Sequence, residues 1–65
     1  MPKKWTGKLV GMMHDHKVTG CQLAEELGVS REYVSMVLNG HRDPDGAEAR
    51  FTDAFYRIVK RRESE

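Results

Sequence analysis

Apolar residues recur along the chain at the spacing of an α-helix, in four segments that glycine, proline and asparagine residues separate. None of these segments shows the alternation of apolar and polar residues that a half-buried strand requires. The first segment covers about residues 5–16, with Thr6 as a candidate N-cap. Its apolar arc consists of Trp5, Leu9, Met12, Met13 and His16. The pattern predicts an amphipathic first helix.

Two short segments follow, and both have clear boundary signals. Thr19 is a good N-cap for the second segment, and Gly28 is the residue type that most readily adopts the left-handed conformation that ends a helix. Ser30 is the N-cap of the third segment, which ends at Asn39 and Gly40. The buried positions expected here are Leu23, Ala24, Leu27, Val34, Val37 and Leu38. We therefore expect two short helices joined by a tight turn.

A longer helix is predicted after the Asp43-Pro44-Asp45 segment, over about residues 45–62. Its apolar positions are Ala47, Phe51, Ala54, Phe55, Ile58 and Val59. Four helices with short connections predict an all-α fold. Since 65 residues have room for one small domain only, we expect residues 1–65 to form a compact four-helix domain with a long C-terminal helix.

Size and composition exclude several classes of protein. The only cysteine, Cys21, has no partner for an internal disulfide, which is typical of a reducing compartment. No run approaches the ~20 apolar residues of a membrane span, so we expect a cytoplasmic protein. The chain is too short for the deep cleft of a large enzyme, and no residues are spaced like a catalytic pair. The composition favours a binding module that is not an enzyme and needs no cofactor, metal or small-molecule ligand.

Charge alone does not identify the partner of this module. Eleven Lys and Arg residues against ten Asp and Glu residues leave a net charge of +1. Basic residues gather in a short N-terminal arm (residues 1–5) and between residues 57 and 62, and such segregation can give a nearly neutral protein a positive face. On the fourth helix, one flank of the apolar arc carries Arg50, Arg57 and Arg61. This flank is either a phosphate-facing stripe or a solvated edge with Arg57 paired to Asp53 one turn earlier, and we expect the solvated edge.

The second and third segments together have the features of a helix-turn-helix, which we place at residues 19–40. Ala24 is small where the two helices would cross, Gly28 allows the tight turn, and Val29 fills the space beneath it. The second helix of such a unit can enter the major groove of DNA.

These residues resemble those of a known family. The pattern L-A-x-x-L-G-V-S-x-x-x-V-x-x-V-L-N-G over residues 23–40 is similar to that of the Cro/repressor-type (XRE-like) helix-turn-helix proteins of phages and bacteria, and the likeness covers about residues 9–58. The resemblance implies a lambda-repressor/Cro-like fold. It also implies sequence-specific binding to double-stranded DNA and a role in transcription, as a nucleoid-associated repressor of phage or mobile-element type.

Two features depart from the family pattern. Members often carry a glutamine that touches a phosphate where this chain has Gly20, which leaves a backbone N–H or the nearby Gln22 for that contact. Many members also add a fifth helix, which leaves the mode of dimerisation open. We expect a homodimer on a pseudo-palindromic operator, because one recognition helix reads too few bases. The interface residues we expect are Trp5, Tyr56 and the apolar residues near Phe55 and Val59.

The third helix presents a candidate base-reading face opposite its buried valines. The residues expected to meet base edges are Arg31, Glu32, Tyr33, Ser35 and Met36. Arg31 suits guanine and Glu32 suits cytosine. A thymine methyl suits Tyr33 or Met36, and Met36 is expected to be exposed in mid-helix. Alternatively, Glu32 only favours the positive start of its helix, and Tyr33 only packs along the turn.

Phosphate contacts are expected from groups on either side of the third helix. The candidates are the backbone N–H groups of Gly20 and Cys21, together with Gln22, Asn39, His41 and Arg42. Lys3, Lys4 and Lys8 are weaker candidates. Binding of this kind requires an affinity that falls steeply as salt rises.

Two other functions fit the same residues. An interaction module, such as an antitoxin-like or adaptor protein, would expose an apolar patch on the fourth helix without positive potential around the third. An architectural DNA binder without sequence preference would not need a polar, varied face over residues 31–36.

Two features suggest other chemistry but are expected to lack it. In His14-Asp15-His16 the two histidines point in different directions on a helix, so we expect no metal site. Cys21 lies at a helix N-terminus, where a redox role is conceivable. A small, semi-buried filler is the more common role for such a cysteine, and we expect it here.

Overall fold

Four α-helices make up the protein in the computed structural model, which describes residues 4–64. They are α1 (Lys4–Asp15), α2 (Gly20–Leu27), α3 (Arg31–Leu38) and α4 (Ala47–Glu63). No strand is present in this described range, and the all-α prediction is confirmed. Of the predicted N-terminal arm, residues 1–3 lie outside the described residues, Lys3 among them, and Lys4 already belongs to α1.

α1 begins earlier than the sequence pattern indicated. Because its first residue is Lys4, Thr6 lies inside the helix, and its predicted N-cap role is wrong. Thr6 is only 1% exposed and shares the buried face with Leu9 and Met13. Residues three, four and seven positions apart lie on one side of a helix, so the earlier start leaves Thr6 in the core.

A short turn joins α1 to α2. His16 is predicted to lie in the apolar arc, but the residue is exposed. It contacts the core through the ring of Phe55, whose centroid lies 5.6 Å from that of the His16 ring. Lys17 adopts a left-handed φ of 57°. Val18 then returns to the core, and its N–H donates to the Met13 carbonyl at 2.8 Å. The turn reverses the chain while keeping its backbone hydrogen-bonded.

α2 and α3 begin and end at the predicted residues. The Thr19 hydroxyl accepts the N–H of Gln22 at 3.1 Å, and Gln22 Oε1 accepts the N–H of Thr19 at 2.9 Å, which completes a capping box. Gly28 ends α2 with a φ of 73°. At the start of α3, Ser30 Oγ accepts the N–H of Tyr33 at 3.1 Å. The predicted caps of both helices are confirmed.

α4 begins at Ala47, two positions later than expected, because the preceding Gly46 is left-handed with a φ of 77°. It continues to Glu63, close to the predicted end.

The side chains with almost no exposure at the centre of the molecule are Leu9, Leu23, Val34, Val37, Phe51 and Phe55. Leu27, Leu38 and Val59, predicted to be buried, are half-buried at the edge of this core. Burying each large apolar side chain stabilises the fold by about 1.5–3 kcal/mol. The burial of Val34 and Val37 therefore fixes the rotation of α3.

Ion pairs join α2 to α4. The Glu26 carboxylate accepts hydrogen bonds from Arg57 at 3.1 Å and from Arg61 at 2.8 Å. The predicted pair of Arg57 with Asp53 is therefore wrong, and in the described structure Arg57 pairs across the helix interface. The two Glu26 oxygens accept from two arginines that lie one turn apart on α4.

Candidate nucleic-acid interface

The burial of one side of α3 determines which of its side chains face outward. Val34 and Val37 are each 1% exposed. Arg31, Glu32 and Ser35 are exposed. The face predicted to read bases is thus open to solvent at these three positions.

Tyr33 and Met36 occupy intermediate positions on α3. Tyr33 is half-buried and packs against the core, which agrees with the alternative in which it packs along the turn. Met36 is also half-buried, so the expectation of an exposed methionine is wrong. The chain after α3 folds back toward it, because the Met36 carbonyl accepts the N–H groups of His41 at 2.8 Å and Arg42 at 3.2 Å.

A groove of about 740 Å³ runs along α3. Val10 and His14 of α1 line one side, Arg31 and Ser35 of α3 line the other, and Gly20 at the start of α2 also borders it. The exposed face of α3 and the first residue of α2 therefore open onto one concave surface. The structure brings together residues that the sequence assigned to base contacts and to phosphate contacts.

The start of α2 has two unused hydrogen-bond donors. The capping box engages the N–H of Gln22, and the N–H of Leu23 donates to the Thr19 carbonyl at 3.1 Å. The N–H groups of Gly20 and Cys21 have no acceptor among residues 4–64. Beyond its chain neighbours and its own helix backbone, no atom lies within 4 Å of where a Cβ at Gly20 would stand. The first turn of a helix carries a partial positive charge, and free N–H groups there suit an anion.

Cys21 is exposed, and its sulfur is a free thiol. Its predicted role as a semi-buried filler is therefore wrong. The first turn of α2 points away from the core at this position, because the buried side of the helix begins at Leu23 and Ala24.

The segment after α3 contains the other predicted phosphate ligands. Asn39 Nδ2 donates to the Ser35 carbonyl at 2.8 Å and to Ser35 Oγ at 3.1 Å, so its amide hydrogens already have acceptors. His41 and Arg42 are exposed, and their side chains have no partner in the range that the structure describes. Of the three predicted ligands in this segment, only His41 and Arg42 can contact an anion without losing a hydrogen bond within the protein.

A group of acidic residues lies at the start of α4. A second groove, of about 560 Å³, is found at the start of α4 and has Asp43, Asp45, Glu48 and Asp53 along its lining. These carboxylates would repel DNA phosphates, whereas Arg31, His41 and Arg42 lie at or after α3. One exposed carboxylate, Glu32, lies on α3 itself.

Arg62 makes a set of contacts that no sequence pattern indicated. Its guanidinium donates to the His16 carbonyl at 2.6 Å, to the Lys17 carbonyl at 3.2 Å and to Gln22 Oε1 at 3.0 Å. It therefore joins the end of α4 to the α1–α2 turn and to the capping box of α2. Separations of 40 to 46 residues produce no local pattern by which a sequence could reveal these bonds.

The two arginine partners of Glu26 affect the pKa of its carboxyl. The hydrogen bond from Arg61 is the main cause that lowers its pKa below the ordinary value. Partial burial acts in the opposite direction, and the charge of Arg61 together with the bond and charge of Arg57 lowers the pKa further.

Residues 4–64 contain neither a metal-ligand cluster nor a membrane-spanning helix. No group of three or more His, Cys, Asp or Glu side chains in this range could hold a metal ion. None of the helices described is both long and apolar enough to span a bilayer.

Comparison with known proteins identifies the central part of the chain. A family model described as helix-turn-helix matches residues 22–50, from the first turn of α2 into α4. The match supports the resemblance of this segment to the Cro/XRE-type helix-turn-helix family. The match supports a general role in DNA binding for this part of the chain. Searches of curated proteins and of solved structures found no significant match.

Proposed function

We propose that this protein binds specific sequences of double-stranded DNA, with α3 in the major groove, and thereby represses transcription. The observation that carries the proposal is that the exposed side of α3 and Gly20, whose N–H is unused, border one groove. A helix that reads bases needs phosphate ligands beside it to fix its register, and this arrangement supplies both.

The base-reading residues of the proposal are Arg31, Glu32 and Ser35, with Met36 and Tyr33 at their edge. Arg31 can donate two hydrogen bonds to guanine, and Glu32 can accept one from the cytosine amino group. Met36 is half-buried and Tyr33 packs against the core, so their contribution is apolar contact with a thymine methyl at the rim of the face.

The phosphate ligands of the proposal come from the start of α2 and from the segment after α3. On one side are the N–H groups of Gly20 and Cys21 and the side-chain amide nitrogen of Gln22, whose oxygen is engaged by Thr19 and Arg62. On the other side are His41 and Arg42. Asn39 holds Ser35, and it would reach a phosphate only by releasing those bonds.

The proposal includes a homodimer on a pseudo-palindromic operator, with half-sites about one helical turn apart. Tyr56 is 54% exposed, and Trp5 and Met12 beside it are half-buried, which gives an apolar patch for the second copy. A dimer that occupies an operator excludes other proteins from the same DNA, which is the basis of the proposed repression. The proposed setting is the nucleoid of a bacterial cytoplasm, with a gene of phage or mobile-element origin.

The same patch supports a second candidate, a module that binds another protein through Trp5, Met12 and Tyr56. The two candidates differ in which surface is used. The exposed Arg31 on α3 and Arg42 after it favour DNA as the partner.

Selection of bound duplexes from random DNA at near-physiological salt tests the proposal. We expect enrichment of an inverted repeat, and an affinity that falls steeply with salt. Sedimentation with the selected duplex should then give two protein chains per site. Absence of any enriched sequence would leave an architectural or protein-binding role. A monomer at all concentrations, with and without DNA, would contradict the dimer.

A further inference from the structure

The Arg62 side chain joins three acceptors that lie in two different parts of the chain. The carbonyls of His16 and Lys17 belong to the turn that follows α1, and Gln22 Oε1 belongs to the capping box of α2. The carbonyl groups after a helix have no partner within that helix, and a guanidinium with several donors in a fixed fork can satisfy more than one of them.

The acceptors of Arg62 lie close in the chain to the unused N–H groups of Gly20 and Cys21. Gln22 Oε1 accepts from both Arg62 and the N–H of Thr19, so Arg62 fixes the side chain that closes the capping box. The N–H groups of Gly20 and Cys21 lie between that turn and Gln22 in the sequence. The direction in which these two N–H groups point is therefore set from both sides by one side chain of α4.

We infer that Arg62 is a positioning residue for DNA binding. It holds the start of α2 in the orientation at which the N–H groups of Gly20 and Cys21 meet a phosphate. The inference rests on the proposed function, and it gives a role to the hydrogen bonds by which a basic residue near the C-terminal end of α4 contacts the α1–α2 turn and the α2 cap.

Direct contact of Arg62 with DNA is the alternative that the geometry opposes. Three acceptors within 3.2 Å already engage the guanidinium, and a phosphate would have to displace them. The two roles differ in salt dependence. Loss of a direct phosphate contact reduces the slope of log affinity against log salt by about 1, whereas loss of a positioning residue leaves that slope nearly unchanged.

The test measures the affinity of purified, full-length variants for the selected duplex and for an unrelated duplex, at several salt concentrations. Arg62→Ala removes the guanidinium and its three hydrogen bonds. Arg62→Lys keeps the positive charge but lacks the fixed arrangement of donors of a guanidinium. Lys60→Ala is the matched control, because it removes the same charge from the same helix, at an exposed side chain with no partner among the described residues. Arg61→Ala controls for destabilisation, since it weakens the contact of α4 with Glu26 without touching the α2 cap.

We expect Arg62→Ala to weaken binding to both duplexes by about tenfold with an unchanged salt slope, and Arg62→Lys to restore only a small part. In the free protein, the amide signals of Gly20, Cys21 and Gln22 should shift in Arg62→Ala and in Arg62→Lys, but not in Lys60→Ala. Thermal melts confirm that each variant is folded at the assay temperature.

Two results would overturn the inference alone. One is an affinity of Arg62→Ala equal to that of Lys60→Ala, and the other is full recovery in Arg62→Lys, which would assign the effect to charge. If Arg62→Ala does not fold, the Arg62→Lys variant and its amide signals still decide the question. Failure of the wild-type protein to bind any duplex would instead overturn the proposed function, and the inference with it.

Discussion

The guanidinium of Arg61 lies 2.8 Å from the carboxylate of Glu26, 35 residues earlier in the chain. Arg57 reaches the other oxygen of the same carboxylate at 3.1 Å, and the Glu26 side chain retains only 14% exposure. The long C-terminal helix is thereby attached to α2, the first helix of the helix-turn-helix. Stability of the DNA-binding unit should depend on this contact.

The Glu26 contact predicts how stability varies with pH. Since its arginines lower the pKa of Glu26 from an ordinary value of 4.5, the stabilisation is fully present above pH 4.5 and is lost as the pH falls through the lowered pKa. Glu26→Gln should therefore unfold at a lower temperature than the wild type at pH 7, and the difference should disappear in strong acid. Circular dichroism melts between pH 7 and pH 2 measure this.

Glu25→Gln is the control for that experiment. Glu25 is the neighbouring carboxylate, but it is exposed and has no ion-pair partner in the described range. Its variant should follow the wild-type pH dependence. If Glu26→Gln also followed it, the contact with α4 would have no part in stability.

Two glycines should respond to alanine with opposite signs. Gly28 has a φ of 73°, which an alanine adopts at a cost of roughly 1–2 kcal/mol, so Gly28→Ala should be destabilising. Gly11 lies inside α1, and a Cβ added there would have no atom within 4 Å, so Gly11→Ala should stabilise the fold by about 0.5–1 kcal/mol. Urea unfolding of both variants checks the signs, and a stable Gly28→Ala would contradict the left-handed turn.

The core should be sensitive where α2 and α3 meet. Leu23 is fully buried, and Leu23→Ala should destabilise the protein by about 2–5 kcal/mol, which is enough to unfold much of a domain of this size. Val10 is 45% exposed, and Val10→Ala should have little effect on unfolding. Similar denaturant midpoints for these two variants would contradict the packing described.

Arg31 and Arg42 should affect DNA binding in different ways. Arg31→Ala should relax the preference at one base pair, at a cost of about 1–3 kcal/mol. Arg42→Ala should weaken binding to all sequences alike and reduce the salt slope by about 1. Affinities for the selected site and for single-base variants of it, at several salt concentrations, separate these effects. An unchanged base preference in Arg31→Ala would remove Arg31 from the base-reading set.

The local features of this fold could be read from the sequence, because they depend on residues close together in the chain. The caps at Thr19, Ser30 and Gly28 and the burial of Val34 and Val37 each follow from a side-chain property and a helical spacing. Thr6 is the exception, because a threonine near the start of an apolar arc has the same pattern whether it caps the helix or lies inside it.

The features that could not be predicted join distant parts of the chain. Glu26 can pair with Arg57 only once α2 lies against α4, and Asp53 is the nearer partner for Arg57 in the sequence. Arg62 is one basic residue in a basic segment, and its acceptors are mostly backbone carbonyls, which every residue has. The unused N–H groups of Gly20 and Cys21 could be expected from a helix start, but the place of Gly20 beside the α3 groove required the packed structure.

Mapping of the DNA-binding surface by NMR tests the central claim most directly. In a ¹⁵N-labelled sample titrated with the selected duplex, the amide signals of residues 20–22, 31–36 and 41–42 should shift most, and those near Trp5, Met12 and Tyr56 should change only through dimer formation. A duplex that shifts the acidic residues at the start of α4, and leaves residues 31–36 unchanged, would contradict the assignment of α3 as the recognition helix.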